Sequence, residues 1–125
     1  MSGARLGRWS LRVDAVYCLV TGFLVGATAP WTADAVHLPV PWIVATGALT
    51  VVWSGVVWRL SRRRLVPGLR LVLVANTVAS CGLAALSLTA SGLLALVTLL
   101  AIAVEVGCFA GSQAVALRRL AYTAA

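Results

Sequence analysis

Lysine is absent, only three residues are acidic, and charged residues of either sign make up 10% of the 125-residue chain. A soluble domain of this length needs a polar surface that such a composition does not supply, because 62% of the residues are hydrophobic and the mean hydropathy is +1.02. Histidine occurs once, as His37, between two apolar runs and close to Pro39 and Pro41. A single imidazole there is poor support for a metal set. Cys18, Cys81 and Cys108 fall in separate apolar runs without a C-x-x-C pair, and read as small buried apolar residues. There is no glycine-rich phosphate loop, no nucleophile–base pair and no zinc-ligand pattern, which counts against a hydrolase or a kinase. No cofactor is implied.

The basic residues are all arginines, ten of them, and the net charge is +7. That balance suggests nucleic acid, but the placement argues otherwise. Arg5, Arg8 and Arg12 form one cluster; Arg59, Arg62, Arg63, Arg64 and Arg70 a second; Arg118 and Arg119 a third. Long apolar runs separate them, so they read as juxtamembrane anchors and not as a nucleic-acid face. Arginine without lysine in an Ala, Val, Leu and Gly background fits a GC-rich bacterial genome.

The runs extend over about 13–31, 41–58, 69–90 and 93–117. Each approaches the ~20 residues that cross ~30 Å of hydrocarbon as a helix. Open strands leave unpaired edges in lipid and are excluded. The expectation is one domain over residues 1–125, an all-α membrane-embedded four-helix bundle. The connection 60–68 is rich in arginine, with Pro67-Gly68 as its turn. The connection 32–39 carries Asp34 and His37 and no basic residue, and 89–92 is uncharged and tight. Every arginine then falls on one side, which the positive-inside rule assigns to the cytoplasm together with both termini. Trp9, Trp31, Trp42 and Trp58 stand at run ends, as an aromatic belt requires. Ala27-Thr28-Ala29 resembles a signal cleavage site, but Pro30 follows at once, so the first run reads as a retained span.

At 100° per residue the polar positions of each run gather into stripes. These are Asp14, Tyr17, Cys18, Thr21 and Thr28; Thr46, Thr50 and Trp53; Asn76, Ser80 and Ser87; and Thr98, Ala101, Glu105, Cys108 and Ser112. All four are expected to converge on the interior, the hydroxyls mostly bonding their own helix carbonyls. Gly22-x-x-x-Gly26 and Gly107-x-x-x-Gly111 match the small-residue helix-contact pattern, and the second pair points away from Glu105, towards another neighbour or a second copy.

Glu105 is the candidate for chemistry. It lies ~20 Å from the arginines of its own run by helix rise. With no cation in reach, desolvation favours its protonated form, suited either to proton or cation handling or to a structural hydrogen bond. Asp14 is placed in the first turn of the first helix, where it complements the dipole and has Arg12 or Arg70 as a partner. Asn76 and Gln113 share its depth, and the three are candidates for one polar network.

Leu11-Arg12-Val13-Asp14-Ala15, Leu38-Pro39, Ala75-Asn76, and Gln113 before Leu117-Arg118-Arg119 resemble a family of small four-span actinobacterial membrane proteins. A looser resemblance is to DoxX-like membrane proteins, some linked to redox chemistry. Neither implies an active site. Three functions compete: a non-enzymatic self-associating or accessory subunit of a membrane complex, a small proton-coupled transporter using Glu105, and a DoxX-like redox component. The expected partners are the lipid bilayer and, in the first reading, a second copy or a larger membrane protein.

Overall fold

A computed structural model describes residues 1–125, and it is helical apart from its connections. Helix α1 covers Gly3–Ala27 and starts under the side chain of Ser2, which accepts the Arg5 amide at 3.3 Å. A break at Thr28 leads directly into the short α2, Ala29–Val36, with Pro30 in its first turn. His37 ends α2 in the left-handed conformation (φ 56°). Helix α3 spans Val40–Arg63, α4 Leu65–Ser87, and α5 Leu93–Ala124.

Four of these, α1, α3, α4 and α5, are long and apolar enough to cross a membrane. At ~1.5 Å per residue the shortest is about 34 Å and α5 about 48 Å, so all outrun a hydrocarbon layer of ~30 Å. The chain is a multi-pass membrane protein in architecture.

Three local expectations are corrected. Pro67-Gly68 does not form the turn between the second and third long helices; both lie in the first turn of α4, and the chain reverses at Arg64 alone. A proline there loses nothing, since the first helical amides have no partner in any case. Residues 32–36, expected as loop, are helical and belong to α2. Helix α1 begins ten residues before the apolar run, because arginine is a good helix former and water accepts its charge.

The two helices at the centre are α1 and α5. Helix α1 packs along α3 and against α5, α4 packs along α5, and α3 meets α4 far less. The α1–α3 crossing is set by glycine. A Cβ on Gly47 would stand 2.7 Å from the Gly22 carbonyl oxygen and 2.8 Å from the Gly26 nitrogen, so the two backbones touch. At the arginine-rich end a Cβ on Gly3 would meet the Leu120 nitrogen at 2.9 Å, and Arg119 donates to the Met1 carbonyl at 3.0 Å. Both termini therefore lie at that end.

The core has two parts. Leu11, Ala15, Val57, Leu69, Val72 and Ala116 fill the arginine-side half, while Ala29, Ala33, Val36 and Ile43 close the other end beneath α2. There Ser91 donates both its amide and its hydroxyl to the Ala35 carbonyl, tying the α4–α5 connection to α2. Between its two ends the outer surface is largely apolar: Phe23, Leu49, Val78, Leu94 and Val104 are among the exposed side chains.

Candidate functional site

Four helices and the lipid-facing surface define two polar places at different depths. The first is enclosed. Asp14 of α1, Asn76 of α4 and Gln113 of α5 are 1%, 4% and 0% exposed and meet where the three helices adjoin. The Asn76 amide donates to Asp14 Oδ2 at 2.6 Å, the Gln113 amide donates to the same oxygen at 2.9 Å, and Asn76 also approaches Gln113 Oε1 at 3.4 Å. The Cys18 thiol, one turn along α1, donates to Asp14 Oδ1 at 3.5 Å. Both carboxyl oxygens thus have a partner on a neighbouring side chain. No buried side-chain nitrogen or oxygen in the protein lacks a partner. Nearer the arginine-rich end, Ser10 and Ser112 bond across α1 and α5 at 2.6 Å, continuing the same seam.

The structure thus brings the three residues of the expected network together, but gives Asp14 a different setting. It is about three turns inside α1, beyond reach of the dipole at the helix start. Its partners are amides and a thiol. The Arg12 guanidinium instead lies 5.9 Å over the ring of Trp58.

The second place is on the outside. Glu105 is exposed, not interior, and accepts the Tyr17 hydroxyl at 2.5 Å. The Tyr17 ring leans on Phe109 with centroids 5.3 Å apart, which fixes the phenol at the α1–α5 edge. The stripe expected to face inward, Thr98, Ala101, Glu105, Cys108 and Ser112, is exposed at all but Ser112. The inward face of α5 is Ala103, Val106, Ala110, Gln113 and Ala116. Because α5 sits between two helices, small side chains decide which face can be covered, and Glu105 is left at the edge with Tyr17 as its partner. The α3 stripe is also misplaced: Thr46 is exposed and bonds to the Trp42 carbonyl of its own helix, as Thr50 does to that of Thr46. The α3 residues that turn inward are Ile43, Gly47, Ser54, Val57 and Ser61.

The cysteines divide. Cys18 is half-buried beside Asp14, whereas Cys81 and Cys108 are exposed on the apolar surface and are not core residues. Of the glycine pairs, Gly22 and Gly26 both serve the α1–α3 crossing through their backbones. A Cβ on Gly107 would come 3.3 Å from Ser80 Oγ, so this residue packs on α4 within the bundle, where Ser80 donates to the Ala103 carbonyl at 2.7 Å. Gly111 has open space beside it. His37 caps α2 and is exposed.

Tyr17 is the functional candidate that residue-by-residue reading passed over. It shares a face with Asp14 and Cys18, and the signal was its phenol, which needs an acceptor in lipid. No family model, curated protein or solved structure matches this chain.

Proposed function

We propose that the chain is a non-enzymatic accessory or self-associating subunit of a bacterial inner-membrane complex, with both termini in the cytoplasm, docking through the outer face of α5. One observation carries this reading: Glu105 stands on the outside of a membrane-spanning helix, among exposed Thr98, Ala101 and Cys108. A carboxylate at mid-span costs about 2.5–3.5 kcal/mol on insertion scales, and small or polar side chains are what membrane helices use to associate. Tyr17 is the side chain that bonds it within the chain, and a second helix would bury the pair. The centre at Asp14 is complete in itself and is read as structural, joining α1, α4 and α5. All three of its residues lie in the short segments that resemble the four-span actinobacterial family.

The native thiol of Cys108 reports the contact. In a Cys18→Ser, Cys81→Ser background, mild oxidation in the membrane is expected to give a Cys108 disulfide dimer or a mixed adduct with a co-purifying membrane protein. Glu105→Ala is expected to reduce it. A thiol that stays monomeric and lipid-accessible, in a chain that extracts alone, would overturn the reading.

Proton coupling is the second reading, favoured by the Tyr17–Glu105 hydrogen bond within the span. Glu105→Gln keeps a hydrogen-bonding side chain and removes the ionisable one. Loss of proton-dependent flux with an unchanged fold and an unchanged Cys108 adduct would favour transport.

A further inference from the structure

We infer that the outer face of α1 is a binding site for one anionic phospholipid, its phosphodiester held by Arg5, Arg8 and Arg12 and its acyl chain laid along the same helix face. A cleft of about 640 Å³ opens there, lined by Ser2, Ala4, Arg5, Arg8, Trp9 and Arg12. The three guanidinium groups recur at helical spacing on one face, and all are exposed.

They have no counter-ion in the protein. Of the three acidic residues, Asp14 is enclosed by amide donors, Asp34 belongs to α2 at the opposite end of the bundle, and Glu105 is bonded to Tyr17. Arg12 is also steadied, its guanidinium lying over the Trp58 ring of α3 at 5.9 Å. A cation held on an aromatic face keeps its N–H edge free for a second, anionic partner.

The rest of α1 distinguishes a lipid from a free phosphate. Beyond Arg12 the same face continues as Val16, Leu19, Val20 and Phe23, which are 52%, 41%, 53% and 66% exposed. Trp9, 56% exposed, lies among the arginines, about one turn before Arg12. A headgroup-deep cluster of arginines that includes an interfacial indole, followed by an uninterrupted apolar track, matches the two chemistries of a phospholipid, its phosphate end and its hydrocarbon. Inorganic phosphate or a nucleic acid would use the first part and leave the track idle. Arginine suits the phosphodiester because its planar fork bonds two oxygens at once.

The test is the thermal stability of the full chain in a neutral detergent, titrated separately with short-chain phosphatidylglycerol, phosphatidylcholine and glycerol phosphate. Phosphatidylglycerol is expected to raise the midpoint saturably, as a ligand of the native state must, with the other two ineffective over the same range. Arg5→Gln with Arg8→Gln leaves eight arginines to hold the topology, and is expected to weaken the lipid effect about twenty-fivefold, at about fivefold per cation. Equal effects of phosphatidylcholine, equal effects of glycerol phosphate, or an unchanged titration in the double variant would each overturn the site. Should the double variant not fold, the wild-type comparison of the three titrants decides, with Arg8→Lys expected to retain part of the effect. Displacement of the lipid by an oligonucleotide at comparable concentration would assign the face to nucleic acid instead.

Discussion

Adding one methyl group at Gly47 tests how the bundle is held together. The new Cβ would lie 2.7 Å from the Gly22 oxygen, 2.8 Å from the Gly26 nitrogen and 3.1 Å from the Gly26 Cα, all of them backbone atoms on the facing helix. Ordinary carbon contacts begin near ~3.5 Å, and no side-chain rotation can relieve a clash with main chain. Helices α1 and α3 must therefore separate by roughly half an ångström or more along their crossing, loosening the contact that also seats Val51 against Gly22. Overpacking of this kind costs about 1–3 kcal/mol. Gly55, on the same helix, supplies the control: a Cβ there meets nothing within 4 Å, and alanine should be neutral or stabilising by up to ~1 kcal/mol through helix propensity. Unfolding of the purified chain by a denaturing detergent, followed by circular dichroism, reads both. Gly47→Ala should lower the unfolding free energy by about 1–3 kcal/mol, Gly22→Ala should do likewise, and Gly26→Ala, whose own Cβ has free space, should not. If Gly47→Ala and Gly55→Ala behave alike, the glycine crossing does not hold α1 to α3 and the reasoning fails.

Gln113→Leu and Asp14→Leu should each destabilise the chain, with a coupling between them of about 0.5–2 kcal/mol in a double-mutant cycle; additive losses would show that the buried centre is not a unit. Gly107→Leu, set against Ser80, should weaken the fold itself, whereas Gly111→Leu should leave the fold intact, both read by the same detergent unfolding. A monomer produced by Gly111→Leu from a wild-type dimer would place the contact on that face of α5. For topology, Asp34→Cys and Arg63→Cys are the positions of choice in a cysteine-free background, since Asp34 and Arg63 are exposed while neighbouring Ala33 and Ser61 are buried. Impermeant thiol reagents should reach the first in intact cells and the second only after permeabilisation, and reversed labelling would refute a cytoplasmic arginine end.

The number of long helices was legible because apolar length and arginine placement report depth directly. The meeting of Asp14, Asn76 and Gln113 was legible for the same reason: amides and a carboxyl at one depth in lipid have few partners other than each other. Rotation about the helix axis was not. In water the apolar face of a helix is the buried one, but in lipid both faces are apolar, so Thr98, Glu105 and Cys108 do not by themselves reveal that they lie outside. The deciding residues in α5 are Ala103, Ala110 and Ala116, whose small volume admits α1 and α4 at close range. Helix ends failed differently. Hydropathy stops at the edge of the hydrocarbon, while α1 continues to Gly3 and α3 to Arg63 through arginines that water stabilises.

The gathering of all ten arginines at one end has an electrical consequence. In a membrane polarised negative on one side, each elementary charge carried across changes the free energy by about 2.3 kcal/mol per 100 mV. A molecule with its arginine end on the positive side would hold all of its guanidinium groups there, at a disadvantage of roughly 23 kcal/mol per 100 mV relative to the opposite orientation. That exceeds the whole stability of a typical domain, ~5–15 kcal/mol. In a membrane polarised in this way the voltage would by itself favour the orientation with the arginine end on the negative side, and its influence would be greatest while α1 and α3 are entering the bilayer, before their ends have been committed to either side.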